Sequence, residues 1–213
     1  MRGSRKRLRP EMPGKREFRR RRARARQRVA AELPALRLRS LIAESVHRAV
    51  CAVEGTDGNG KCGLYAVAGA DLAKGLTGRH YFLQAGKLSV PTGHEDLHYT
   101  LDPDNDPNLR HAWFAFKHRN CIELVDLASR HIETQAGQTK RAWKHKNWPK
   151  YIWDFEFNLR GIACYEARAE TLESLMDSMD IDQTHTTEVI RVARVFVKNP
   201  NSDVYVMPRP TDK

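Results

Sequence analysis

The stretch Cys62-Gly63-Leu64-Tyr65-Ala66-Val67-Ala68-Gly69-Ala70-Asp71-Leu72-Ala73 is small and apolar on nearly every side. A helix that is apolar all round must be wrapped by other elements. The run follows a turn-rich break, Gly55-Thr56-Asp57-Gly58-Asn59-Gly60. This pattern predicts a buried helix that opens at Cys62 and ends near Gly75. The remainder of the chain has to supply the shell around it.

Leu36, Leu41, Ile42, Val46, Val50 and Val53 recur at near-helical spacing, which predicts an amphipathic helix over 36–53. Short strands are expected at 79–84 and 87–90. His111-Ala112-Trp113-Phe114-Ala115-Phe116-Lys117 reads as a strand, and His118-Arg119-Asn120 turns it into a second, 121–127. Residues 151–157 form a further strand candidate. The polar segment 91–108, with Pro103 and Pro107, reads mostly as loop. Leu172, Leu175, Met176 and Met179 mark a helix over 165–179. Segment 186–197 suits a helix by spacing and a strand by propensity, and helix is preferred. Helices, then strands, then helices indicate an α+β domain rather than alternating βαβ units.

The net charge of +11 is concentrated at one end. Residues 1–28 hold fourteen Arg or Lys against two Glu, a net +12, which leaves the rest at −1. A basic disordered tail over 1–30 and an α+β domain over 31–213 are therefore expected. Arg19, Arg20, Arg21 and Arg22 are the natural phosphate contacts if the tail meets nucleic acid. An Arg-rich presequence, or a later start codon such as Met12, are the alternative readings of the tail. No run approaches the ~18 to 20 apolar residues of a membrane span. The basic start lacks an apolar follow-on, so no secretory signal is read and a cytoplasmic setting is expected. Cys51, Cys62, Cys121 and Cys164 form no C-x-x-C pair, which argues against a zinc knuckle.

Three residues sit at the edges of these elements. Cys62 opens the small-residue helix, His111 opens a strand, and Asp126 closes the next one. On adjacent antiparallel strands joined by a short turn, His111 and Asp126 can lie close together. A helix start favours a negative charge, which suits a thiolate nucleophile. An imidazole can take the thiol proton and return it to the leaving group. A carboxylate on the other ring nitrogen fixes tautomer and orientation. The backbone N–H of Cys62 can donate to a developing oxyanion.

Gly60-Lys61-Cys62-Gly63, Gly78-Arg79-His80-Tyr81, His111-Ala112-Trp113 and Leu124-Val125-Asp126-Leu127 together resemble the transglutaminase-like branch of the papain-like thiol enzymes. The resemblance spans about residues 55–130. It implies a papain-like cysteine-proteinase fold, with the helix carrying Cys62 packed on a small antiparallel sheet. It implies Cys62 as nucleophile, His111 as general base and acid, and Asp126 as the orienting carboxylate. Trp113 is the expected substrate contact. Papain-type enzymes carry an oxyanion glutamine six residues before the cysteine; here that position is Thr56, and Asn59 is the nearest side-chain amide.

The expected activity is a thiol hydrolase or acyltransferase acting on a peptide or small amide or ester, with no metal or cofactor. An inert domain of the same fold with a nucleic-acid-binding arm is the alternative. The stretch Gly93-His94-Glu95-Asp96-Leu97-His98 also contains H-E-x-x-H, a zinc-hydrolase pattern when it lies on a helix. Pro91, Gly93 and Pro103 hem it in and Leu97 is its only internal apolar residue, so a polar loop is expected there instead.

Overall fold

The computed structural model describes residues 33–92, 98–106, 108–138, 143, 145, 147–180 and 183–202. The basic segment 1–30, with Arg19–Arg22, lies outside them, as do Gly93–Leu97. Helix α1 spans Leu36–Glu54 and helix α2 spans Cys62–Thr77. The strands are β1 Phe82–Pro91, β2 His98–Leu101, β3 His111–Lys117, β4 Ile122–Asp126, β5 Ile152–Phe155 and β6 Cys164–Ala167. Short helix α3, Ile132–Gln138, follows β4; α4, Ala169–Asp180, and α5, Gln183–Lys198, close the described chain. This is an α+β fold with one small antiparallel sheet.

Helix α1 buries Ile42, Val46, Ala49 and Val50, a stripe one turn apart along the helix. Each large side chain of that stripe contributes roughly 1.5–3 kcal/mol by leaving water. Leu36, expected as the first member of the stripe, is instead exposed. Helix α2 runs past Gly75 and stops at Gly78, which takes the left-handed conformation. It buries Tyr65, Ala66, Ala68, Gly69, Leu72 and Ala73 and packs against β3 and α5. Gly69 sets the depth of that packing: a Cβ there would stand 2.5 Å from the Phe114 ring and 2.7 Å from the Leu127 side chain. The small-residue run is thus what lets the helix bearing Cys62 settle onto the sheet.

The sheet is organised around β1. Its first half pairs β3, with Phe82 opposite Ala115 and Gly86 opposite His111. Its second half pairs β2 and β6. β3 continues to β4, with Phe114 opposite Val125, and β4 to β5.

Three expectations change. The two strands foreseen at 79–84 and 87–90 are one ten-residue strand. At Gly86, between the two expected strands, the β6 backbone crosses: a Cβ there would lie 2.1 Å from the Glu166 carbonyl oxygen. Within the expected loop 91–108, His98–Leu101 pairs with β1, burying Tyr99 and Leu101 while Thr100 and His98 point away. Residues 165–167, expected at the start of a helix, belong instead to β6, and the helix begins at Ala169. The ambiguous segment 186–197 lies within helix α5, and its buried face is Val189, Val192, Ala193 and Phe196.

Candidate thiol site

The β3–β4 hairpin carries the first pair of site residues. The His118 N–H closes its turn on the Cys121 carbonyl at 2.9 Å. His111 Nε2 lies 2.8 Å from Asp126 Oδ2, and both side chains are buried. The carboxylate has further donors. Oδ1 accepts the Ala128 N–H at 2.9 Å, and Oδ2 accepts the Tyr165 hydroxyl at 2.8 Å. A buried carboxylate held by three donors is fixed in place and satisfied.

Burial by itself disfavours a charged imidazole at His111. The Asp126 carboxylate outweighs it by charge and hydrogen bond, and Cys62 adds a smaller push by the same two routes. The His111 pKa rises to about 10. Burial and the neighbouring Asp126 push the Tyr165 hydroxyl well above its ordinary range, so it stays a donor. With Nε2 committed to Asp126, Nδ1 is the ring nitrogen left for Cys62.

Cys62 is the first residue of α2 and is partly exposed. Its sulfur lies 3.9 Å from the carbonyl oxygen of Arg110, the residue preceding His111. N–H groups of the first helical turn have no partner within the helix and point out past its start. Two cavities meet at this point. One, of about 290 Å³, is lined by Cys62, His111, Tyr99, His131 and Gln135 among others. The other, of about 340 Å³, is lined by Cys62, Glu54, Lys61, Leu175 and His185 among others. Both include Gly60, Lys61, Cys62, Asn108 and Arg110, so the thiol stands where they join. A larger cavity of about 520 Å³ borders Tyr165 and contains neither Cys62 nor His111.

The expected site residues thus divide. His111 and Asp126 are directly bonded, and Cys62 opens onto the same cavity as His111. Trp113 is corrected: it is 1% exposed and offers no surface to a substrate. Its indole N–H donates to Gln84 Oε1 at 2.9 Å, and its ring stacks near His111 and meets Tyr165 edge-on. It is packing beneath the imidazole. Asn59 Oδ1 accepts from Gln135 Nε2 at 2.8 Å, and Gln135, not Asn59, lies in the cavity wall.

Residues without a sequence signal complete the surroundings. His131 shares the wall of the His111 cavity, and its Nε2 lies 3.0 Å from the Tyr65 hydroxyl. That hydroxyl is also 2.7 Å from His47 Nδ1. Burial lowers the pKa of both histidines, that of His47 to about 4, with Arg130 lowering both further. Both imidazoles are therefore neutral at ordinary pH. Tyr65 lies three residues after Cys62 on α2, a spacing that could have flagged it as a neighbour.

His98, the last histidine of the H-E-x-x-H stretch, is the first residue of β2, exposed, with Nδ1 3.2 Å from the Ser89 hydroxyl. His94 and Glu95 lie outside the described residues. Among the described residues, no group of three or more metal-ligating side chains comes together. Nor, among them, is any helix long and apolar enough to cross a membrane. Trp148 and Trp153 anchor their segment to the core. The Trp148 N–H donates to the Ser129 carbonyl at 2.8 Å, and Trp153 is buried.

No family model matches this chain, and no curated protein matches it. One solved structure is similar in fold, described as "The crystal structure of genomics APC5867". It has a TM-score of 0.56 and 10% sequence identity, over 81% of this chain and 85% of its own. At that identity the likeness is one of fold alone.

Proposed function

We propose that this protein is a thiol enzyme of the papain-like, transglutaminase-like kind, attacking an amide or ester carbonyl through Cys62. The observation that carries this reading is the His111–Asp126 pair, bonded at 2.8 Å, on the same cavity as a cysteine at a helix start. His111, already a cation at neutral pH, faces the cysteine through Nδ1 and stabilises its thiolate, while Asp126 on Nε2 stabilises the imidazolium. The thiolate adds to the carbonyl carbon, and the Cys62 backbone N–H donates to the oxygen as it gains charge. Nδ1–H then protonates the departing amine or alcohol, leaving an acyl group on sulfur. Water resolves the thioester in a hydrolase, and an amine resolves it in a transferase.

The substrate class is a peptide or small amide. Two cavities meeting at the thiol give room for the acyl part on one side and the leaving group or acceptor on the other.

The reading is tested with p-nitrophenyl acetate and peptide mapping by mass spectrometry. The expected result is a burst of p-nitrophenol with acetyl carried on the Cys62 peptide, absent in Cys62→Ser. Acetylation spread over Cys62 and the exposed Cys164 alike, with no burst, would contradict it.

A further inference from the structure

The thiol mechanism needs a second donor for the oxyanion besides the Cys62 N–H, and the position that supplies one in papain-type enzymes holds Thr56. Thr56 is exposed, and its hydroxyl accepts the Gly58 N–H at 3.2 Å, closing its own turn. Asn59 has turned its carbonyl oxygen to Gln135. Two cations line the Cys62 cavities, and both are engaged. Lys61 pairs with Glu54 at 2.6 Å, and Arg110 bonds the Ser174 hydroxyl at 3.1 Å.

We propose that Gln135, on helix α3, provides that second oxyanion donor. This rests on the thiol-enzyme reading above. Gln135 lines the cavity that holds Cys62 and His111. Its amide is held at both ends: Nε2 donates to Asn59 Oδ1 at 2.8 Å, and the Tyr99 hydroxyl stands 3.4 Å from Oε1. A primary amide carries two N–H donors, and Asn59 takes one. The other stays on a nitrogen in the cavity wall.

The placement is tied to the thiol by two independent links. Asn59, which clamps Gln135, lies three residues before Cys62. His131, four residues before Gln135 and on the same cavity wall, meets Tyr65, three residues after Cys62. The wall of α3 is thereby registered against both sides of the cysteine. A neutral amide suits this place, because a further cation there would oppose the charge that His111 carries.

The experiment compares Gln135→Met and Gln135→Ala with the wild type by two reactions on the full chain. Acylation by p-nitrophenyl acetate passes through an oxyanion; alkylation of Cys62 by iodoacetamide displaces iodide at a saturated carbon and does not. Losing one such donor costs about a hundred- to a thousand-fold in acylation. The expected result is that loss in both variants, with alkylation close to wild type. Asn59→Ala, which keeps the amide and removes its clamp, gives a smaller loss. Unchanged acylation in either folded variant would overturn the proposal while leaving the thiol reading intact. Equal loss in both reactions would also overturn it, since Gln135 would then only shape the site. A wild-type Cys62 inert to both reagents would overturn the thiol reading itself.

Discussion

Strand β4 carries two buried carboxylates three residues apart, on opposite faces of the sheet, and they are used differently. Glu123 faces the side where Phe114 and Trp153 pack. Its Oε2 accepts from Arg79 at 2.8 Å and His118 at 2.9 Å, and its Oε1 from Tyr81 at 2.8 Å and Trp153 at 2.7 Å. One of these donors, Arg79, is a permanent cation. Asp126 faces the other side, and its partner is a histidine whose second nitrogen is left for the thiol. Both carboxylates are fully buried. Burial and hydrogen bonding therefore do not separate the acid proposed to serve the thiol from the one that holds the fold. What does is whether the partner can change its protonation state and reach a cavity.

The largest expected effect that separates the two sites is on chemistry. Asp126→Asn lowers acylation of Cys62 by about a hundred- to ten-thousand-fold, because the amide stabilises neither the working tautomer nor the imidazolium. Its circular dichroism stays that of the wild type. Glu123→Ala does the reverse. It leaves Arg79 without its carboxylate and costs about 3–5 kcal/mol in urea unfolding, while the folded fraction keeps its acylation rate. If Glu123→Ala abolished acylation without loss of stability, the division between the faces would be wrong.

A smaller effect appears in the pH dependence of stability. The His111 pKa is raised by folding from its ordinary 6.5 to about 10. Its contribution is therefore fully present below pH 6.5 and is lost as pH rises through about 10. His47 works in the opposite sense. Its pKa is lowered to about 4, so its contribution is present above 6.5 and is lost as pH falls through 4. Melting temperature should peak between these limbs, and His111→Gln should flatten the alkaline one. An alkaline limb unchanged in that variant would mean that Asp126 does not hold a charged imidazole. The smallest effect is at Trp113. Trp113→Phe keeps a ring under His111 but strands the Gln84 carbonyl, costing about 1 kcal/mol with little change in acylation. A loss of substrate affinity there would restore Trp113 as a substrate contact.

Much of this arrangement is readable from residue pattern, and the unreadable part has a common cause. The amphipathic stripe at 36–54, the small apolar run at 62–77 and the strand–turn–strand pattern from His111 to Asp126 are strong local signals, and they hold Cys62, His111 and Asp126. Tyr165, His131 and Gln135 sit on elements with little periodicity. Strand β6 is mostly exposed and has no apolar alternation; it exists because its backbone pairs with β1 across Gly86. Helix α3 has seven residues, of which Ile132 and Ala136 are its buried apolar positions. Such segments are placed by tertiary approach rather than by their own pattern. The same limit explains Trp113. A tryptophan beside a candidate histidine reads equally well as a contact or as a floor, and only the register opposite Gln84 decides between them.

The account is tested most directly by one measurement: the alkylation rate of Cys62 by iodoacetamide at pH 6, resolved by peptide mapping. The exposed Cys164 in the same molecule serves as the internal reference. The account predicts that Cys62 reacts faster than Cys164, and that the advantage disappears in His111→Gln. A Cys62 no faster than Cys164, or one whose rate is unchanged in His111→Gln, would mean that the imidazole does not activate the thiol, and the proposed function would fall.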